Sequence, residues 1–170
     1  NIVLEHVDDQ PPQSIDKANL KANAAVVYNS TQTLTGTTDV GKNNNNIYVQ
    51  GDLYLQGTLK GNGFIYVDGN LYITENINYQ NQGNVIVNII VNGNIIDQSS
   101  GNSINIDGIY FTNGTLTIGN HSAGFTVGNG AVYIVGGLVS DYHTVFTINY
   151  GKFVNNSQKN PNTLQTAAAS

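Results

Sequence analysis

A nine-residue segment that returns in near-identical form constrains this chain more than any other feature. Ile47-Tyr48-Val49-Gln50-Gly51-Asp52-Leu53-Tyr54-Leu55 recurs 18 residues on as Ile65-Tyr66-Val67-Asp68-Gly69-Asn70-Leu71-Tyr72-Ile73, and after a further 24 as Ile89-Ile90-Val91-Asn92-Gly93-Asn94-Ile95-Ile96-Asp97. A looser copy starts at Ile109 and carries one inserted residue, and a fifth starts at Val132. Val26 to Thr35 and Val145 to Tyr150 read as weaker terminal copies. Units of about 20 residues repeating along a chain are the mark of a solenoid, in which each unit buries its apolar face only against its neighbours.

The pattern inside each copy selects the kind of solenoid. Apolar residues alternate at period two, which is the spacing of a strand and conflicts with that of a helix. Each copy therefore reads as two short strands bent at the glycine, and the whole as an all-β, right-handed parallel β-helix. Coils stacked about 4.8 Å apart give a rod of about 30 Å if there are about six or seven of them. Ile47, Val49, Leu53 and Leu55 are expected to lie beneath Ile65, Val67, Leu71 and Ile73. Gly51, Gly69 and Gly93 fit a corner that needs a positive φ or has no room for a Cβ. The extra residues at Asn76 to Asn84 and Asp97 to Ser103 are expected to leave the stack as loops.

This reading divides the chain into a lead-in over 1–24, a β-helix over 25–157 and an extended tail over 158–170. An open end coil exposes unpaired backbone groups, so a cap is expected. Ser14, Asp16, Leu20 and Ala22 to Ala25 are compatible with one or two helical turns laid across the first coil, with Ser14 as N-cap.

Charged residues make up only 10% of the chain, and uncharged polar side chains must keep it in solution. All the basic residues are lysines and the net charge is −5, and both facts argue against nucleic acid as a partner. Cysteine is absent, which removes disulfides and thiolate metal sites. No apolar run is long enough to span a bilayer. The chain begins with Asn1, from which a membrane anchor or signal segment removed from the native protein is expected.

Parallel β-helices often carry carbohydrate chemistry, which makes acidic pairs worth weighing. Asp52 and Asp68 fall at turn positions of adjacent coils, yet with no arginine and only Lys60 nearby they lack a convincing acid–base partner. His6, His121 and His143 are scattered, and Asp8, Asp9, Asp97 and Asp107 would hold Ca²⁺ only weakly through loop oxygens. No catalytic residue, cofactor or metal is expected. The four tyrosines Tyr48, Tyr54, Tyr66 and Tyr72 fall at outward positions and form the candidate binding face, a platform for a sugar ring or a protein partner. The competing reading is a ladder that stiffens the sheet, or a face covered by the N-terminal segment.

The copies at Ile47 to Leu55, Ile65 to Ile73 and Ile89 to Asp97, the lead-in Pro11 to Ala22 and the closing Phe146 to Tyr150 resemble the β-helical domain of PilX-type minor pilins. The resemblance spans most of the chain. It implies an extracellular, non-enzymatic β-solenoid on a pilus or cell surface, with other pilin or cell-surface subunits as partners and a role in assembly or adhesion. Two other classes stay open: a carbohydrate-binding or polysaccharide-active β-helix, for which polysaccharide is the partner, and a bactofilin-like filament former. The uneven spacing of the coils fits the last of these poorly.

Overall fold

The structure, a computed structural model, describes residues 2–4, 15–41, 45–81, 84–141, 144–148 and 151–153. The chain opens with β1 (Ile2–Leu4) and the helix α1 (Lys17–Ala22), followed by β2 (Val26–Tyr28), β3 (Gln32–Leu34), β4 (Thr37–Val40) and β5 (Ile47–Val49). The long strand β6 (Leu53–Val67) comes next, then β7 (Leu71–Tyr79), β8 (Ile86–Val91), β9 (Ile95–Asp97) and β10 (Ser103–Thr112). The last elements are β11 (Thr115–Ile118), β12 (Gly124–Ile134), β13 (Gly137–Ser140), β14 (Phe146–Ile148) and β15 (Gly151–Phe153).

Every strand pairing is parallel, and the result is a β-solenoid of about five turns with partial rungs at its ends. Three faces recur in each turn. On the first face Val26, Ile47, Ile65, Ile89, Tyr110 and Val132 stack rung on rung. On the second, Gln32 is followed by Leu53, Leu71, Ile95, Leu116 and Leu138. The third is built from β4, the middle of β6, the end of β7, the starts of β10 and β12, then β14 and β1.

The expected stacking of Ile47, Val49, Leu53 and Leu55 under Ile65, Val67, Leu71 and Ile73 is present pair by pair. All eight are buried, as the inward half of a period-two strand must be. The fourth copy is out by one residue. Tyr110, not Ile109, stacks on Ile89, so Tyr110 points into the core, where its hydroxyl donates to the Asp107 carbonyl at 2.8 Å. A buried phenol needs such a partner, and the tight turn at Gly108 supplies it.

The repeated glycines mark a corner for the second of the two reasons weighed above. Gly93 does not have a positive φ, but a Cβ there would come within 2.6 Å of the Gly69 carbonyl oxygen. The residue after each of these glycines adds a second ladder. Asp52 Oδ1 accepts from the Asn70 amide at 2.8 Å, Asn70 Oδ1 from the Asn94 amide at 2.9 Å, and Asn94 Oδ1 from the Thr115 amide at 2.9 Å. Side-chain oxygens thus satisfy N–H groups that the corner takes out of the sheet. Positive φ occurs instead at the other two corners, as at Gly57 (φ +103) between the second and third faces and at Gly130 (φ +148) between the third and first, whose Cβ would lie 1.8 Å from the Gly108 oxygen.

The loops and the lead-in differ in part from expectation. Asn76 to Tyr79 belong to β7, with Ile77 buried, so the first loop begins only at Gln80; the second, Gln98 to Asn102, leaves the stack as anticipated. The described parts of the lead-in do not lie across the first coil. β1 joins β14 at the opposite end of the solenoid, whereas α1 lies along its flank. Asp16 is the N-cap, its carboxylate accepting from the Asn19 amide at 3.1 Å; Ser14 and the 158–170 tail lie outside the described residues.

Lys17 Nζ pairs with Asp68 Oδ1 at 2.8 Å, and Lys21 Nζ sits 5.9 Å from the centre of the Tyr48 ring. The Asp68 carboxyl is held below its ordinary range chiefly by the hydrogen bond from Lys17, with help from the Tyr66 hydroxyl and against a smaller effect of burial. Lys17 is raised, first by the same bond. The depressed carboxyl adds stability above its unfolded value of about 3.9 and loses it as pH falls through the folded value; the raised lysine adds stability below about 10.4 and loses it as pH climbs through the folded value. The clamp is thus whole at neutral pH and opens at both extremes. Lys17→Met is expected to move the Asp68 titration, followed by NMR at its carboxyl carbon, up towards the ordinary value. An Asp68 that titrates at the ordinary value in the parent protein would show that the clamp does not form in solution.

Candidate functional site

The four tyrosines all project outward from the solenoid, and they fall into two unlike pairs. Tyr48 and Tyr66 lie on the first face with ring centres 4.7 Å apart. The helix covers them, leaving Tyr48 5% and Tyr66 0% exposed. Burial, and then the hydrogen bond to Asp68, raise the Tyr66 phenol well above its ordinary value. That half of the candidate face is therefore not available to a ligand, and the cover has a physical reason: Tyr48, Tyr66 and Ile90 form an outward apolar row, and Ile15 and Leu20 come beside Ile90.

Tyr54 and Tyr72 sit on the second face, their rings stacked with centres 4.6 Å apart and planes nearly parallel at 15°. Both are half-buried, and among the described residues no segment covers them. The Tyr72 hydroxyl accepts from Asn70 Nδ2 at 3.4 Å. Ile96 extends the row in the next rung. What this surface offers is flat, uncharged and amphipathic.

The acidic residues are brought into structural service. Asp52 carries the corner ladder, and Asp68 is bound by Lys17 and by the Tyr66 hydroxyl at 2.9 Å. Lys60 faces Asp39 at 3.7 Å and neither of them. Asp97 and Asp107, weighed above as Ca²⁺ ligands, are buried in separate places; Asp8, Asp9, His6 and His143 lie outside the described residues. No three of His, Asp and Glu converge among the described residues.

A Ser–His–Asp contact does occur, which the spacing along the chain gave no reason to expect. His121 Nε2 meets Asp97 Oδ2 at 2.5 Å, with both side chains fully buried. Its Nδ1 meets the Gly101 carbonyl at 2.6 Å. A carbonyl can only accept, so Nδ1 carries a proton, and Nε2 is turned to a carboxylate that also accepts. The ring has no lone pair to offer Ser99, whose hydroxyl donates to Asp97 instead. A serine nucleophile needs the base on its own proton, with the carboxylate on the far side of the ring. Here the serine and carboxylate share one side, and the cluster ties the loop after β9 to the loop after β11. Gly119 donates its amide to Asp97 Oδ2 at 3.0 Å, and the His121 amide donates to Thr144 Oγ1 at 2.7 Å.

Asp107 plays the same part at another corner. Its carboxylate accepts from the Tyr79 amide at 2.7 Å, the Asn129 amide at 2.9 Å and Asn105 Nδ2 at 3.0 Å, and so links three successive turns. Compared with known proteins, this chain matches no family model, no curated protein and no solved structure.

Proposed function

We propose that this β-solenoid is a non-enzymatic structural or adhesive element of the cell surface, associated with a pilus in the manner of the minor pilins it resembles, with other pilin or surface subunits as partners. The observation that carries the reading is the Tyr54–Tyr72 stack, uncovered among the described residues, on a face with little charge, which suits adhesion. The use of Asp52, Asp68, Asp97, Asp107 and His121 in structural hydrogen bonds supports a scaffold over a catalyst. The test is to label native cells with antibody against the folded protein. Labelling of intact cells, with the antigen recovered in the fraction sheared from the surface, is the expected result; labelling only after permeabilisation would overturn the surface reading.

One feature favours a second reading. The outer edge of β2, β3 and β4 has no strand partner among the described residues, and such an edge is a template for end-to-end association of the bactofilin-like kind. Sedimentation separates the two readings, because a filament former grows with concentration.

A further inference from the structure

We infer that a second surface of this protein, an amide-lined groove at the corner between the third and first faces, binds a neutral oligosaccharide chain. The groove holds about 1170 Å³, is open to solvent, and is lined by Asn78, Asn105 and Asn129 together with Asn81 and Ile86. It belongs to different residues from the tyrosine stack, and it goes beyond the surface reading without depending on it.

The chemistry follows from the direction in which each amide is held. Asp107 is 3% exposed and can only accept. Asn129 Nδ2 donates to it at 3.1 Å, which leaves Asn129 Oδ1 as an acceptor facing away. Asn105 Nδ2 also donates to Asp107, and on its other side to Asn78 Oδ1 at 2.9 Å. Asn78 is thereby turned so that its Nδ2 is a donor with no partner among the described residues. One buried carboxylate thus orients a row of amides drawn from successive turns, with rungs about 4.8 Å apart.

The row offers donors and acceptors in fixed places and no positive charge, and the Asp107 carboxylate beneath it, held by neutral N–H groups, repels an anion. Hydroxyl groups can both donate and accept, so a chain of neutral sugars matches it where a carboxylated or phosphorylated polymer does not. Tyr79, half-buried, and Ile86, 50% exposed, supply apolar surface beside the amides for the carbon face of a ring. Tyr79 is itself held in place, its hydroxyl accepting from the Val87 amide at 3.0 Å. A groove whose polar groups are already oriented binds at lower entropic cost than a flexible one.

The test is a titration of cellohexaose, maltohexaose and the hexasaccharide of N-acetylglucosamine into isotope-labelled protein, followed by NMR. At least one is expected to bind saturably, shifting the side-chain amides of Asn78, Asn105 and Asn129. Asn78→Asp keeps the acceptor for Asn105 and removes the outward donor, and Asn129→Ala removes the outward acceptor; each is expected to weaken binding about five- to tenfold. Val27→Ala, at an exposed position outside the groove, is expected to leave binding unchanged. The inference is overturned if none of the three sugars binds the folded protein, if polygalacturonate binds as tightly as the neutral chains, or if binding follows Tyr54 and ignores Asn78 and Asn129. None of these outcomes bears on where antibody finds the protein on the cell.

Discussion

Replacing His121 with alanine is expected to destabilise the fold by about 3 to 5 kcal/mol, the cost of leaving a buried carboxylate without its partner. The Asp97 carboxylate has no route to solvent, since its side chain and that of His121 are both fully buried. With the ring gone, Ser99 and the Gly119 amide remain as neutral donors, too few to replace a charge-assisted bond. The Gly101 carbonyl would lose its donor at the same time. Urea unfolding at neutral pH measures the loss. The double replacement His121→Ala with Asp97→Ala is expected to cost less than the sum of the two single changes, because it removes the stranded charge along with its partner. A His121→Ala protein within about 1 kcal/mol of the parent would show that water or a rearranged loop reaches Asp97, and that the cluster is not the tie between the two loops.

Leu71→Ala is the second large effect, expected at about 2 to 5 kcal/mol. Leu71 is fully buried between Leu53 in the rung below and Ile95 in the rung above. The parallel ladder holds the rungs at their spacing by backbone hydrogen bonds, so neighbours cannot close in, and most of the lost volume stays as a cavity. Because a solenoid is coupled rung to rung, amide exchange is expected to quicken most in β6, β7 and β9 and least at β12 and β13. A loss under about 1 kcal/mol, or a uniform rise in exchange along the whole rod, would mean that the inner layers repack and that the stack of like residues is not what holds this region.

The two substitutions probe different kinds of information. Leu71 falls in the core by its place in a repeated segment, and its burial needs no knowledge of distant parts of the chain. His121 and Asp97 stand 24 residues apart with unrelated neighbours. No local pattern joins them, and their only visible signal is that each lies in or beside a loop leaving the stack after a second-face strand. The tyrosines show the same division within one motif. Tyr48 and Tyr54 occupy equivalent outward positions in the same repeat, yet one is covered and the other half-exposed.

By itself, then, the sequence determined the parallel stack, the inward residues of its first two copies and the glycine corner. The reason is that strand alternation and the lack of space at a glycine act within a few residues and repeat with the motif. Only the tertiary structure decided that α1 covers Tyr48 and Tyr66, that Tyr110 and not Ile109 enters the core, that His121 closes on Asp97, and that Asp107 aligns amides from three turns. Each of those outcomes depends on which distant segments the coiling brings within a few ångströms, and hydrogen bonds and burial act at that range with no regard for separation along the chain.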